Sequence, residues 1–139
     1  MADGNRRGLT RGHLVEILRF LRDLYLRDDG ADDKNALKYQ MNLAIRDMRD
    51  VPHRISMAAR NLPRGMCADD HAYPIEELIS RILSGEDIDT VLGDNTICRI
   101  TNDEHRTLEQ HGYKKTRVVG GVVDWPRCYR ECGIELCAE

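Results

Sequence analysis

The residues best suited to chemistry in this 139-residue chain are its five cysteines and five histidines. Three cysteines lie close together near the C-terminus, and one cysteine precedes a histidine by four positions in the middle of the chain. Structural zinc takes four sulfur or nitrogen ligands in tetrahedral geometry, often as two closely spaced pairs. The candidate metal ligands are Cys128, Cys132, Cys137, Cys67 and His71.

No pair among these residues has the C-x2-C spacing that marks zinc sites most strongly, and cysteine is also a common small, buried apolar residue. We therefore favour ordinary thiols and no cofactor, and keep a structural zinc site as the alternative. If a site exists, the three C-terminal cysteines are the first candidates.

No catalytic residue is predicted. The segment from Cys67 to His71 also contains Asp69 and Asp70, but it lacks a nucleophile context such as G-x-S-x-G. Gly120-Gly121 lacks the glycine pattern of a phosphate-binding loop. We interpret residues 63–73 as a polar surface loop, and an enzymatic function as the least favoured class.

Basic residues form a second candidate site, for nucleic acid. A helix followed by a β-hairpin is the element order of a winged helix, although such an analogy carries little functional weight by itself. Phosphate contacts require basic side chains, whereas the helix before the hairpin carries Asp103, Glu104 and Glu109. Nucleic-acid binding is therefore the runner-up function. Its candidate residues are Arg46, Arg49, Arg54, Arg60, Arg64, Lys114, Lys115 and Arg117.

The length of the chain indicates one domain, or one domain plus an appendage. The net charge is −3, the charged fraction is 32%, and only one Phe and one Trp are available for the core. No apolar run is long enough for a membrane span, and residues 1–13 lack the apolar region of a signal peptide. We expect an intracellular protein, cytoplasmic or nuclear, without a membrane partner. An odd number of cysteines also argues against a disulfide framework.

Hydrophobic periodicity predicts a mainly helical N-terminal part with four to five helices. A tail at 1–9 is expected to be flexible, and the helical part is assigned to 10–93. Apolar residues recur at helical spacing in each predicted helix. The segments are 10–26, 33–50, 53–61, 74–84 and a short turn at 87–92.

The C-terminal part, 94–139, is predicted to contain a strand, a helix, a β-hairpin and a cysteine-rich tail, packed with the helices as one compact unit. The strand is 96–101, the helix is 102–111, and the hairpin is 114–125. The overall prediction is an α+β fold. The strand at 96–101 is expected to pair with one strand of the hairpin.

Two valine-rich runs around Gly120-Gly121 define the hairpin, because glycine reaches the positive φ that a two-residue loop requires. In this register Val118 faces Val123 and Arg117 faces Asp124. Alternation places Trp125 on the inner face, against the helix at 102–111, and the Arg117–Asp124 pair in solvent.

The first helix is apolar on more than one side, so part of it is available to a partner or to a second copy. The candidate interface residues are Val15, Phe20 and Leu26. We therefore predict a non-enzymatic interaction or regulatory protein that acts through helical surfaces, with a homodimer as one form. A small viral accessory protein fits this size and composition, although no residue shows it.

Overall fold

The computed structural model describes residues 8–27 and 31–138, apart from the side chains of Ala31 and Asp32. Most of the predicted tail at 1–9 lies outside the described residues. Six helices and two small sheets form the described part, which confirms the predicted α+β class. Contacts divide it into two compact units. The helical unit runs to Val51 and includes Ile75–Asp94, and the sheet unit comprises Pro52–Pro74 and the chain from Asn95 onward.

Four helices build the helical unit, and their apolar stripes meet in its core. The buried residues of α1 are one helical turn apart, as a single inner stripe requires. Glycine is needed just before α1, where Leu9 bridges to Met48 and a Cβ on Gly8 would lie 1.9 Å from the Asp47 carbonyl oxygen. The helices are α1 (Arg11–Arg27), α2 (Ala31–Arg46), α3 (Ile75–Leu83) and α4 (Ile88–Leu92). The core includes Leu14, Leu18, Met41, Ile45, Leu78, Ile82, Val91 and Leu92.

A three-stranded mixed sheet forms the centre of the sheet unit. Its strands are β1 (His53–Ile55), β2 (Cys67–His71) and β3 (Ile97–Thr101), in the order β1-β3-β2. β3 pairs in parallel with β1 and antiparallel with β2. The predicted strand at 96–101 is therefore confirmed, but its predicted pairing with the hairpin is wrong.

The remaining elements of the sheet unit follow β3 along the chain. They are α5 (Asn102–Gln110), β4 (Val118–Val119), β5 (Val122–Val123) and α6 (Trp125–Glu131). Thr101 and Glu104 form a reciprocal capping box that starts α5.

The hairpin has the predicted register, with Val118 opposite Val123 and positive φ at both central glycines. The predicted inner position of Trp125 agrees with its packing against the cluster that contains Leu108. However, Trp125 begins α6 rather than ending a strand.

Two predicted assignments in the middle of the chain are wrong. The helix at 53–61 is instead β1 followed by turns, and the loop at 63–73 contains β2. β1 has three residues and β2 has no β-branched residue, so neither shows a strand pattern in isolation. Both are strands because β3 supplies their backbone partners, which is a tertiary effect that outweighs local propensity.

Within the described residues, no helix combines the length and apolarity that crossing a membrane requires.

Candidate functional site

The helical unit exposes an apolar face formed by α1 and α2. Ile17, Phe20 and Leu24 lie three and four residues apart on α1, so they share one side of the helix. Phe20 remains 60% exposed. On α2, Ala36 and Leu43 are seven residues apart and are also exposed. We call these five residues the α1–α2 face.

A groove of about 540 Å³ shows that the two helices contribute to one continuous surface. Leu24 of α1 and Ala36 and Leu37 of α2 line it together. Exposed apolar side chains scattered singly are normal on a protein surface, whereas contiguous apolar patches often mark interaction sites. Two of the five residues of the α1–α2 face, Leu24 and Ala36, line this groove, so the two helices meet there in one surface.

The predicted interface residues do not all belong to this face. Phe20 lies at its centre, and Val15 is half-buried. Leu26 is 61% exposed, but it follows Phe20 by six residues, about one and two-thirds helical turns, and so points to a different side of α1. The structure therefore brings one of the three residues onto the apolar face, together with Ile17 and Leu24.

On α1, the apolar residues of this face lie between two side chains of opposite charge. Glu16 and Arg27 are both exposed and are eleven residues apart, about three full turns, so they lie on the same side of the helix. Phe20 lies between them. The face thus has an acidic end and a basic end.

The sheet unit contains a buried polar cluster that has no counterpart in the predicted sites. Arg117 is 3% exposed and forms a bidentate ion pair with Asp70, with N–O distances of 2.5 and 2.9 Å. Its Nη1 also donates to the carbonyl oxygens of His71 and Ala72, and its Nε donates to that of Tyr113. Almost every donor of this guanidinium therefore has an acceptor.

Tyr129 completes the cluster from α6. Its hydroxyl donates to Asp70 Oδ2 at 2.5 Å, and its ring lies 5.7 Å from the Arg117 guanidinium carbon. Because Asp70 belongs to β2 and Tyr129 to α6, the three side chains join the sheet, the chain leading into the hairpin and the last helix.

The pKa values of Tyr129, Arg117 and the neighbouring Cys98 are all raised. Burial, followed by the Asp70 charge, raises the pKa of Tyr129. Burial raises the pKa of the neighbouring Cys98 thiol to about 11. Burial disfavours the Arg117 cation, but the hydrogen bonds to Asp70 and the charge of Asp70 together outweigh this effect and raise the pKa of Arg117. The thiol and the phenol thus stay protonated at neutral pH.

The buried Arg117 corrects two predictions. Its predicted solvent-facing pair with Asp124 is wrong, because the side chain turns inward to Asp70. Asp124 instead accepts a hydrogen bond from the Arg127 amide at the start of α6. Arg117 is also inaccessible to a phosphate, so it is removed from the nucleic-acid candidates.

The other basic candidates are divided between the two units. Arg46 and Arg49 belong to the helical unit, and both are exposed. In the sheet unit, Arg54 is half-buried and the remaining candidates are exposed: Arg60, Arg64, Lys114 and Lys115. Nucleic-acid binding through them stays a prediction.

The candidate zinc ligands do not assemble into a metal site. Across the described ranges, no group of three or more His, Cys, Asp or Glu side chains is placed to hold a metal ion. Cys128 is buried in α6, Cys67 begins β2, and Cys137 donates its backbone amide to the Ile55 carbonyl. All five cysteines are free thiols, and burial raises the pKa of Cys128 and of Cys132. The structure therefore does not bring together the candidate ligands of the alternative zinc site, although they form closely spaced pairs along the chain.

Sequence reasoning missed Asp70 and Tyr129. Asp70 lies in the segment interpreted as a polar loop, and its partner Arg117 is 47 residues away. The only trace in the sequence is the alternation of Ala68, Asp70 and Ala72, which places small residues on either side of a carboxylate along β2 and the residue that follows it.

Comparisons of the chain with protein-family models, with curated proteins and with solved structures found no match.

Proposed function

We propose that this protein is a non-enzymatic interaction protein that self-associates through the α1–α2 face. The observation that carries the proposal is the exposed Phe20 side chain, on the same side of α1 as Leu24, which lines a groove with Ala36 and Leu37 of the packed helix α2. Burying such a surface is favourable by roughly 25 cal/mol per Å² of apolar area. A second copy of the chain is the occupant that this surface fits.

Charge complementarity supports a second copy. Homodimer interfaces are mostly isologous, so the same patch meets itself across a two-fold axis. If α1 packs antiparallel against α1 of the second copy, the acidic end of each face meets the basic end of the other. Glu16 of each copy then pairs with Arg27 of its partner, on either side of the central phenylalanines.

The test is the solution mass of the protein as a function of concentration, for example by analytical ultracentrifugation. We expect the wild type to dimerise and Phe20→Asp to be monomeric. Leu26→Asp is the matched control, because Leu26 is equally exposed on the same helix but lies off the face. We expect it to dimerise like the wild type.

Two results would contradict the proposal. One is a wild type that stays monomeric at about 100 µM, a concentration that detects even weak dimers. The other is an equal loss of dimer in both variants, which would show that the α1–α2 face is not the contact. Circular dichroism of each variant checks that the fold is retained.

A further inference from the structure

A second groove lies in the sheet unit, between α6 and the chain that follows it. Its volume is about 530 Å³. Trp125, Pro126 and Leu136 give it an apolar lining, and the Trp125 and Tyr129 rings pack edge to face with centroids 5.2 Å apart. The groove is thus a shaped concave surface with aromatic walls, of the kind that binds ligands or peptide side chains.

The walls of this groove are fixed by backbone hydrogen bonds. The Met57 amide donates to the Glu135 carbonyl at 2.7 Å, and the Cys137 amide donates to the Ile55 carbonyl at 2.8 Å. Ser56 and Leu136 form an antiparallel bridge. The chain after α6 therefore extends the sheet beyond β1, and the groove does not depend on a loose tail.

Two arginines give the groove a positive charge. Arg54 reaches it from β1 and Arg130 from α6, whereas Glu135 is the one carboxylate among the described residues that line it. Arg130 is exposed and has no carboxylate within ion-pair distance in the described part of the chain. Guanidinium groups bind carboxylates through paired, charge-assisted hydrogen bonds. The charge of the groove therefore complements an acidic ligand with an apolar part.

We propose that this groove binds an acidic peptide segment of a partner protein. An aliphatic or aromatic side chain of the peptide packs on Trp125, and neighbouring carboxylates pair with Arg54 and Arg130. A nucleic acid fits less well, because the apolar lining of Pro126 and Leu136 offers little to the polar edge of a base. This site is separate from the α1–α2 face and does not depend on self-association.

The first experiment probes the wild type and variants with an immobilised array of random hexapeptides. We expect the bound peptides to be enriched in Asp and Glu next to apolar residues. Arg54→Gln and Arg130→Gln should each weaken binding about tenfold, the effect of losing a charge-assisted hydrogen bond. Arg127→Gln is the matched control, since Arg127 is an exposed arginine of α6 that pairs with Glu131 outside the groove. It should bind like the wild type.

The second experiment uses Trp125 itself, because it is the one tryptophan of the chain. Titration with the tightest-binding array peptide should change the tryptophan fluorescence, whereas a single-stranded oligothymidylate should have a weaker effect. The Phe20→Asp variant should give the same peptide affinity as the wild type, which separates this site from the proposed dimer.

The proposal would be overturned if the array binds no peptide, or binds peptides without enrichment in acidic residues. It would also be overturned if Arg54→Gln and Arg130→Gln bind like the wild type, or if Arg127→Gln loses as much affinity as they do. Tighter binding of the oligonucleotide than of the peptide would assign the groove to nucleic acid instead. Circular dichroism of the Arg54→Gln and Arg130→Gln variants confirms that any loss reflects the groove and not unfolding.

Discussion

The two units of this protein differ in what they bury. In the part of the chain that the structure describes, all five buried polar or charged residues belong to the sheet unit: Ser56, Asp70, Asn95, Thr101 and Arg117. The helical unit buries aliphatic side chains, and ion pairs such as Arg11–Asp89, at 2.8 Å, lie at its surface. One unit is therefore held by apolar packing and the other by apolar packing around a charged cluster.

This difference means that the two units should respond differently to core substitutions. Apolar packing tolerates exchanges of similar volume, whereas a buried ion pair loses its compensation when either partner is removed. The sheet unit has short strands and a two-residue hairpin loop, so it has few local interactions to define its arrangement. Long-range contacts between elements come from the buried cluster of Arg117, Asp70 and Tyr129.

The largest expected effect comes from breaking this cluster. Replacing Arg117→Met leaves the Asp70 carboxylate buried with Tyr129 as its remaining side-chain partner. We expect the free energy of unfolding to fall by about 3–5 kcal/mol, the range for a buried pair that loses one member. Urea unfolding followed by circular dichroism measures the change.

The neighbouring residue Asp69 provides a matched control for that measurement. It pairs with Arg99 at 3.3 Å, but both side chains are about one-third exposed or more. Because water screens such a pair, Arg99→Met should cost only about 0–1 kcal/mol. Equal losses in Arg117→Met and Arg99→Met would show that burial of the cluster does not stabilise the sheet unit.

A second prediction concerns alkaline pH. The folded pKa of Cys98 is about 11, and that of Tyr129 is also raised, so the unfolded chain releases both protons at lower pH than the folded chain does. Their contribution to stability is complete below about pH 9 and is lost as pH rises through the folded pKa values. Each tenfold difference between the folded and unfolded acid dissociation constants corresponds to about 1.4 kcal/mol of stability.

We therefore expect the free energy of unfolding to decline between about pH 9 and 11, and Tyr129→Phe to reduce the slope of that decline. The measurement is a series of urea unfolding curves across this range. Tyr39→Phe is the control, because Tyr39 is 61% exposed on the helical unit and should leave the slope unchanged. Two results would contradict the idea that burial raises these pKa values. One is a free energy of unfolding that does not vary with pH, and the other is the same pH dependence in Tyr129→Phe and Tyr39→Phe.

The contrast between the units also explains which parts of the fold could be predicted from the sequence. The helical stripes, the capping box of Thr101 and the Gly120-Gly121 turn are encoded within a few residues, so periodicity and turn chemistry identify them. β1 and β2 depend on a partner strand that lies 26 or more residues away, because β3 pairs with both. No pattern within a few residues of β1 or β2 predicts their pairing with β3.

The candidate sites follow the same rule. The sequence can identify Phe20 as a candidate exposed apolar residue, because its helix is apolar on more sides than contact with one core requires. The Arg117–Asp70 pair cannot, because each charge taken alone resembles an ordinary surface residue. The alternative zinc site rested on spacing along the chain alone, and the fold places Cys67 in β2, Cys128 in α6 and Cys137 beyond α6.

The smallest expected effect concerns the helical unit, whose described charged residues are not buried. If two copies meet through the α1–α2 face, Glu16→Arg places arginine against Arg27 twice in each dimer. We expect a several-fold increase in the dimer dissociation constant at low salt, because exposed ion pairs contribute about 0.2–1 kcal/mol each. Arg27→Glu should have a similar effect through the opposite repulsion.

The double variant Glu16→Arg with Arg27→Glu exchanges the charges and should restore most of the wild-type affinity. Ultracentrifugation at low and at about 0.5 M salt measures all four proteins, and screening should bring their affinities together at high salt. Additive weakening in the double variant would exclude the antiparallel pairing of α1 with its copy. It would leave the apolar contact around Phe20 to be tested separately, since that contact does not depend on salt screening.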